Sequence, residues 1–144
     1  IVMKDYDIRE CSNEEAEFVI DKLVEYNLSK VASTQEIDFL NIDRVVEDVK
    51  GNIIAGILAK MYCWNCLYID VLWVEEGYRK DGLGSKLLKE IENIAIEKGC
   101  HLIHLDTFDF QAKDFYIKHG YEVFGVLDEC PKKHKRYYLK KLIK

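Results

Sequence analysis

The chain reads as one mixed α/β domain spanning residues 1–144. Three observations predict this. Apolar residues recur at the helical period in two long stretches, 16–31 and 83–95; the stretch between them, Phe39 to Val74, is β-branched and aromatic; and short apolar runs alternate with one more helical segment after Gly99. The expected order is strand, helix, three strands, helix, strand, helix, two strands, without repeats or linkers.

Each element has a local reason. Tyr6-Asp7-Ile8-Arg9 alternates weakly and is read as a short strand. Ser12-Asn13-Glu14-Glu15 is a capping box: the Ser12 hydroxyl and the Glu15 carboxylate satisfy the first free amides of a helix. Ala16, Val19, Ile20, Leu23, Val24, Leu28 and Val31 then form a stripe expected to be core, and Ser33-Thr34-Gln35 breaks it. From Phe39 to Val74, Lys50-Gly51-Asn52 and Trp64-Asn65 are the turns of three antiparallel, hairpin-linked strands. Glu75 to Gly82 is a loop, and Leu83, Leu87, Leu88, Ile91, Ile94 and Ala95 mark a helix that Gly99 caps. His101–Asp106 is a strand, Gln111–His119 a helix ended by Gly120, Tyr121–Leu127 a strand and Arg136–Leu142 the last strand, with Cys130-Pro131-Lys132-Lys133 as a loop.

Hydrophobic residues make up 49% and charged residues 33%, with a single Pro, which fits a globular chain and excludes disordered and low-complexity classes. The apolar runs Leu67–Val74 and Ile53–Ala59 fall far short of the roughly 20 residues of a membrane span. The opening Ile1-Val2-Met3-Lys4-Asp5 has no basic segment leading into an apolar core, so no secretory signal is expected. Five dispersed cysteines read as thiols in a reducing compartment, which gives a cytoplasmic location. The net charge of -5 is unevenly distributed: residues 1–76 hold 7 Lys/Arg against 16 Asp/Glu, and residues 77–144 hold 14 against 10. That suits a cationic small molecule meeting a polyanionic one, and equally suits ordinary solvated charge; a wholly basic face for nucleic acid is absent.

The loop Arg79-Lys80-Asp81-Gly82-Leu83-Gly84-Ser85 lies between a strand and a long helix, where free amides and the helix dipole favour an anion. A glycine-bearing turn that merely caps the helix fits the same residues. Two nucleotide motifs fail here. Gly77-x4-Gly82 is followed by Leu83 where a P-loop needs Lys, and Gly82-x-Gly84 meets Leu87 where a dinucleotide fingerprint needs Gly.

Arg79-x-x-Gly82-x-Gly84, preceded by Leu72-Trp73-Val74 and followed by an amphipathic helix, resembles the acetyl-CoA motif of the GNAT superfamily of N-acetyltransferases. Asp109-x-x-Ala112-x-x-x-Tyr116-x-x-x-Gly120-Tyr121 resembles that superfamily's downstream pattern, with Asp109 where Asn is usual. Leu105 to Ala112, with Pro131-x-x-His134, further resembles a bacterial subgroup. The resemblance implies a mostly antiparallel sheet flanked by helices, with a parallel, splayed strand pair in its middle: the strand ending at Val74 and the strand His101–Asp106. It implies acetyl-CoA as co-substrate, its pantetheine arm along Leu72, Trp73 and Val74 and its pyrophosphate on the amides from Arg79 through Lys80, Gly82, Leu83 and Gly84 to Ser85. Asp109, Gln111 and Phe115 complete the implied coenzyme contacts.

The implied reaction is direct attack of a primary amine on the thioester, through a tetrahedral intermediate stabilised by a backbone amide near Val74. An amine with a pKa near ~10.4 must first lose a proton. Asp70, a carboxylate inside an apolar strand and expected to point with Tyr68 and Leu72, is the first candidate base; pairing with Arg44 is its structural alternative, and His134 is a second candidate. Tyr116 occupies the position that in this family protonates the departing thiolate, and a buried aromatic beside Phe115 is its alternative. The acceptor is a small-molecule or peptide amine that the sequence does not name, with no nucleic acid and no membrane as partner, and assembly is left open, a homodimer included. Two readings of other classes stand beside this one. The first is a non-catalytic acyl-CoA sensor or interaction module. The second is a zinc-dependent interaction domain built on Cys63-x-x-Cys66 with Cys100, His101 and His104, although no second C-x-x-C is present and no metal is expected.

Overall fold

The computed structural model describes residues 5–143. The opening at Ile1 to Lys4, on which the expected lack of a secretory signal partly rests, lies outside the described residues. The chain divides into two compact units between Ser33 and Thr34.

In the first unit α1, Asn13–Lys30, starts at the capping box read from the sequence. Ser12 Oγ accepts from the Glu15 amide at 3.1 Å, and the Glu15 carboxylate accepts from the Ser12 amide at 3.0 Å. The strand expected at Tyr6–Arg9 does not form. Tyr6 and Ile8 are exposed, and Arg9 turns toward the cap and grips the Glu15 carboxylate at 2.7 Å, so this guanidinium and the Ser12 amide hold the Glu15 carboxyl down to about 2. The apolar stripe of α1 is also not core: none of its residues is buried. A unit this small cannot enclose a core of its own.

The second unit is built on a seven-stranded sheet ordered β1-β3-β4-β5-β7-β6, with β2 also paired to β3. The strands are β1 Phe39–Asn41, β2 Arg44–Glu47, β3 Ile53–Tyr62, β4 Cys66–Val74, β5 Leu102–Phe108, β6 Glu122–Asp128 and β7 Lys135–Leu142. The helices are α2, Leu83–Glu97, and α3, Lys113–Lys118, and Glu76–Asp81 forms a 3-10 turn ahead of α2. The first of the three expected hairpin strands is thus split in two at Ile42-Asp43, where the Asp43 carboxylate accepts from the Ala59 amide at 3.1 Å. The turn at 50–52 is organised by Asp48 Oδ1, which accepts from the amides of Lys50 and Asn52, both at 2.9 Å.

Every strand pair is antiparallel except β4 with β5. That parallel pair lies in the middle of the sheet, as the family resemblance implied. Its ladder has four steps, from Cys66↔Leu102 to Ile69↔Leu105, and then stops, although β4 continues to Val74 and β5 to Phe108. The two strands therefore part beyond Ile69.

A bulge marks the same place. Across β3, Leu58 faces Val71 and Ala59 faces Ile69, so Asp70 is an extra residue without a partner. Before it, Leu67 and Ile69 enter the core; after it, Leu72 and Val74 pack against the core, while Asp70 and Val71 are exposed. The expectation that Asp70 shares a face with Leu72 is corrected by that one inserted residue.

The core lies between one face of the sheet and α2. Ile57, Leu67, Ile69, Ile103, Leu105 and Leu139 meet Leu87, Leu88, Ile91 and Ala95, all at most 5% exposed. The helical period read from the sequence names the same residues of α2, and Gly99, at φ +83°, ends the helix as expected. Leu88 is fully enclosed, so Leu88→Ala is expected to destabilise the fold by about 2–5 kcal/mol, read from urea unfolding midpoints at unchanged m value.

Candidate functional site

The open fork between β4 and β5 gathers the residues that carry the coenzyme expectation. At the end of β4, Val74 packs beside the first turn of α2, and a Cβ built on Gly84 would lie 3.8 Å from Val74 Cγ2 and 3.4 Å from Phe115 Cζ of α3. A methyl group there would meet both neighbours at ordinary van der Waals distance. Gly82 is glycine for a backbone reason: it caps α2 at φ +74°, the left-handed region, with open space around a built Cβ. Its position leaves the amides of Leu83, Gly84 and Ser85 as the first of α2, where a helix has no internal acceptors.

Arg79 also has a structural contact. Its Nε donates to the Val74 carbonyl at 3.1 Å, tying the 3-10 turn to the end of β4. Lys80 and Trp73 are exposed, and Leu72 and Leu83 pack against the core. On α3, Tyr116 is buried against Tyr121 and Phe115, with ring centroids at 5.7 and 5.2 Å. Burial pushes its phenol up to about 12, so it carries its proton at neutral pH. Its hydroxyl forms no hydrogen bond among the described residues, in a structure where no sealed side-chain polar atom lacks a partner.

Asp70 is exposed on the bulge. The alternative partner considered for it, Arg44, faces Glu90 of α2 at 3.5 Å instead. Next to it the fork is bridged: the Tyr68 hydroxyl of β4 donates to Asp106 of β5 at 2.8 Å, and Arg136 of β7 donates to Asp106 through Nε at 3.0 Å. Burial, with the Asp106 carboxylate second, raises the Tyr68 phenol to about 12. Tyr62 and His104 extend this row with a 2.7 Å contact, and burial pushes the His104 imidazole down. Sequence reasoning missed this row. Its signal was present in the alternation of Tyr68, His104, Asp106 and Arg136 on the strand positions opposite the core, but the pairing register was needed to join them.

Asp109 and Gln111 are committed elsewhere. Gln111 Oε1 accepts from the Phe108 amide at 2.9 Å and from Thr107 Oγ1 at 3.1 Å, which closes the end of β5 and moves the start of α3 from the expected Gln111 to Lys113. Asp109 accepts from His134 Nδ1 and from the Lys135 amide, both at 2.9 Å. His134, the second candidate base, is thus held by a carboxylate. His119 was also missed: its Nε2 lies 2.9 Å from Ser85 Oγ and its ring 4.7 Å from Phe115. The spacing of Phe115 and His119 by four residues puts both on one helix face.

For the zinc reading, Cys66 Sγ contacts the Trp64 carbonyl, Cys63 and Cys100 are buried, and His104 is bound to Tyr62. Among the described residues no three His, Cys, Asp or Glu side chains are grouped to hold a metal ion. No helix among them is long and apolar enough to cross a membrane.

Residues 7–121 match the model of the acetyltransferase (GNAT) family. The chain belongs to the GNAT acetyltransferases. An acetyltransferase structure from Bacillus cereus shares 42% identity over 95% of this chain and 97% of that one, with a TM-score of 0.87. A candidate streptothricin acetyltransferase of Bacillus anthracis, solved with acetyl coenzyme A, shares 25% identity over 71% of this chain and 62% of that one, with a TM-score of 0.62. The blasticidin-S acetyltransferase of Streptomyces morookaense is 36% identical over 83 residues, 57% of this chain and 60% of that protein. The match thus spans less than two thirds of that relative, whose acceptor remains its own. GNAT enzymes depend on acyl-CoA, and membership makes acetyl-CoA the co-substrate that the residues at the fork have to fit.

The link between Asp109 and His134 sets a pH dependence. Desolvation alone would raise the Asp109 carboxyl, but the hydrogen bonds from His134 and the Lys135 amide outweigh it and hold the group below the usual carboxylate range. A depressed native value means that the unfolded chain takes the proton first. The stabilisation is therefore complete above the unfolded carboxylate range, near pH 4, and is lost as pH falls through the native value. Thermal melts between pH 7 and pH 3 are expected to fall more steeply for the natural chain than for Asp109→Asn.

Proposed function

We propose that this chain transfers the acetyl group of acetyl-CoA to a primary amine by direct attack on the thioester. The observation that carries the reading is the early end of the β4–β5 ladder at Ile69↔Leu105, which leaves the edge of β4 from Asp70 to Val74 open toward β5. Backbone groups in a sheet interior need partners, and the amides of a pantetheine arm supply them as an added strand would. The start of α2 lies at the end of that edge, and its second residue, Gly84, carries no side chain to cover the first amides of the helix. The residues present therefore fit the coenzyme. Leu72, Trp73 and Val74 would hold the arm, and the amides from Arg79 to Ser85 the pyrophosphate.

The chain's own groups would then divide the proton work. Asp70, unpaired and exposed on the bulge, attracts a cationic acceptor and takes its proton directly or through water. Tyr116, protonated well above neutral pH, gives its proton to the thiolate, whose acid has a pKa near ~8.5. An amide near Val74 faces the oxyanion of the tetrahedral intermediate. Because Asp106 is already satisfied by Tyr68 and Arg136, Asp70 is the carboxylate at the fork left for an ammonium. We place the enzyme in the cytoplasm, in keeping with five cysteines that form no disulfide among the described residues.

Purified chain with acetyl-CoA and a panel of amines is expected to release free thiol. Tyr116→Phe should lower kcat about 100-fold while changing CoA affinity less than about twofold. Equal turnover would remove Tyr116 from the reaction. Coenzyme binding with no thiol release from any amine would favour a sensor over an enzyme.

A further inference from the structure

Glu92 is the one charged residue that is buried among the described residues. It stands on the face of α2 that also carries Leu88, Ile91 and Ala95, where an apolar side chain would pack without the cost of desolvating a carboxylate. The proposed function gives it no part. Its Oε2 accepts from the Tyr121 hydroxyl at 2.8 Å and from Lys141 Nζ of β7 at 3.1 Å. Both partners have a second task. The buried Tyr121 ring stands edge-on to the Tyr116 ring at 5.7 Å between centroids, and the Tyr121 amide donates to the Tyr116 carbonyl at 3.0 Å. Lys141 Nζ lies over the Tyr121 ring at 5.4 Å and donates to the His119 carbonyl, just past the end of α3, at 2.8 Å. Burial, with the Glu92 carboxylate second, pushes the Tyr121 phenol far up, so it keeps its proton and remains the donor.

We propose that Glu92 is a positioning residue for Tyr116, acting through Tyr121 and Lys141. The inference rests on the proposed function, because it takes Tyr116 to give its proton to the departing thiolate. The Tyr116 hydroxyl forms no hydrogen bond among the described residues, so its direction follows from the rings packed beside it and from the place of α3. A helix of six residues does not hold itself in place. The Glu92 cluster supplies the hold: Tyr121 walls the phenol and bonds the Tyr116 carbonyl, and Lys141 fastens the residue that ends the helix. A proton moves only over hydrogen-bond distance, so displacing the phenol by about 1 Å slows its transfer while the main-chain groups of β4 and α2 stay where they are. An apolar residue at position 92 would fill the same space and would hold neither partner at a fixed angle.

Kinetics of the full chain with acetyl-CoA and an accepted amine test this. Tyr121→Phe, which keeps the ring and removes the hydroxyl, should lower kcat about tenfold, while the KM for the amine and the calorimetric affinity for CoA change less than about twofold. Glu92→Gln, which can still accept from Tyr121, should keep more of kcat than Glu92→Met, which fills the site without such an acceptor. A mutant cycle separates aiming from a general loosening of the fold: in the Tyr116→Phe background, where no phenol is left to aim, Tyr121→Phe and Glu92→Met should cost nothing further. Full kcat in both single variants, or losses that multiply with that of Tyr116→Phe, overturns the positioning role and leaves the proposed function standing. A Tyr116→Phe enzyme as fast as the natural chain removes the proton donor from the proposed function, and the positioning role falls with it.

Discussion

The second unit is organised by a parallel ladder that stops after four steps. In the interior of a sheet each unpaired amide and carbonyl carries a desolvation cost, so two adjacent strands part only where something else fixes them. Here the bulge at Asp70 does so on one side, by taking β4 out of phase with β3 between Ile69 and Val71. On the other side β5 remains paired with β7 as far as Phe108↔Arg136, so it cannot follow β4. The fork is thus held open by pairing to outer neighbours, and the edge it exposes is continuous with the first turn of α2.

Side chains then set how far the fork opens. Tyr68 and Asp106 bridge it at its base, and Arg136 joins Asp106 to β7, so three strands share one carboxylate. Asp106 is mostly enclosed, with its side chain 17% exposed, and a carboxylate in that setting is stable as an ion only with such partners. Beyond the fork, Gln111 seals the end of β5 and Asp109 draws in the loop that leads to β7. Two side chains that the family pattern would give to the coenzyme are thus spent on holding the chain around the site.

Much of the scaffold was legible in the sequence because it depends on local rules. Ser12 with Glu15 marks a helix start, Gly99 and Gly120 mark helix ends, and the spacing of Leu87, Leu88, Ile91 and Ala95 names the face of α2 that is buried. Two of the misses depend on a partner far away in the chain, and two on a short-range contact that wins over the local pattern. Alternation along β4 cannot show that Asp70 is an inserted residue until β3 is laid beside it. Tyr6–Arg9 alternates like a strand, yet with no neighbour to pair with, Arg9 is better used on Glu15. Residues 109–112 have helix-like composition, but Gln111 is drawn to the Phe108 amide and the helix begins later. The glycine loop at residues 79–85 was readable as a motif. The row from Tyr62 to Arg136 was not, because its members come from four strands.

The charge asymmetry seen in the sequence is larger in three dimensions than the counts suggest. Residues 77–144 hold 14 basic against 10 acidic side chains, a modest excess. Yet Glu90, Glu92, Asp106, Glu122 and Asp128 each face a Lys or Arg partner, one of them Arg44 from the other half of the sequence. The exposed pairs at Glu90, Glu122 and Asp128 add little stability, but each cancels a local field. What remains uncancelled on α2 and α3 is mostly lysine, around the very turn whose amides already favour an anion. Among the described residues, the bulge leaves Asp70 without a counter-ion. The fork therefore separates a side that favours a polyanion from a side that favours a cation, and a reaction between the two would draw each reactant from its own direction.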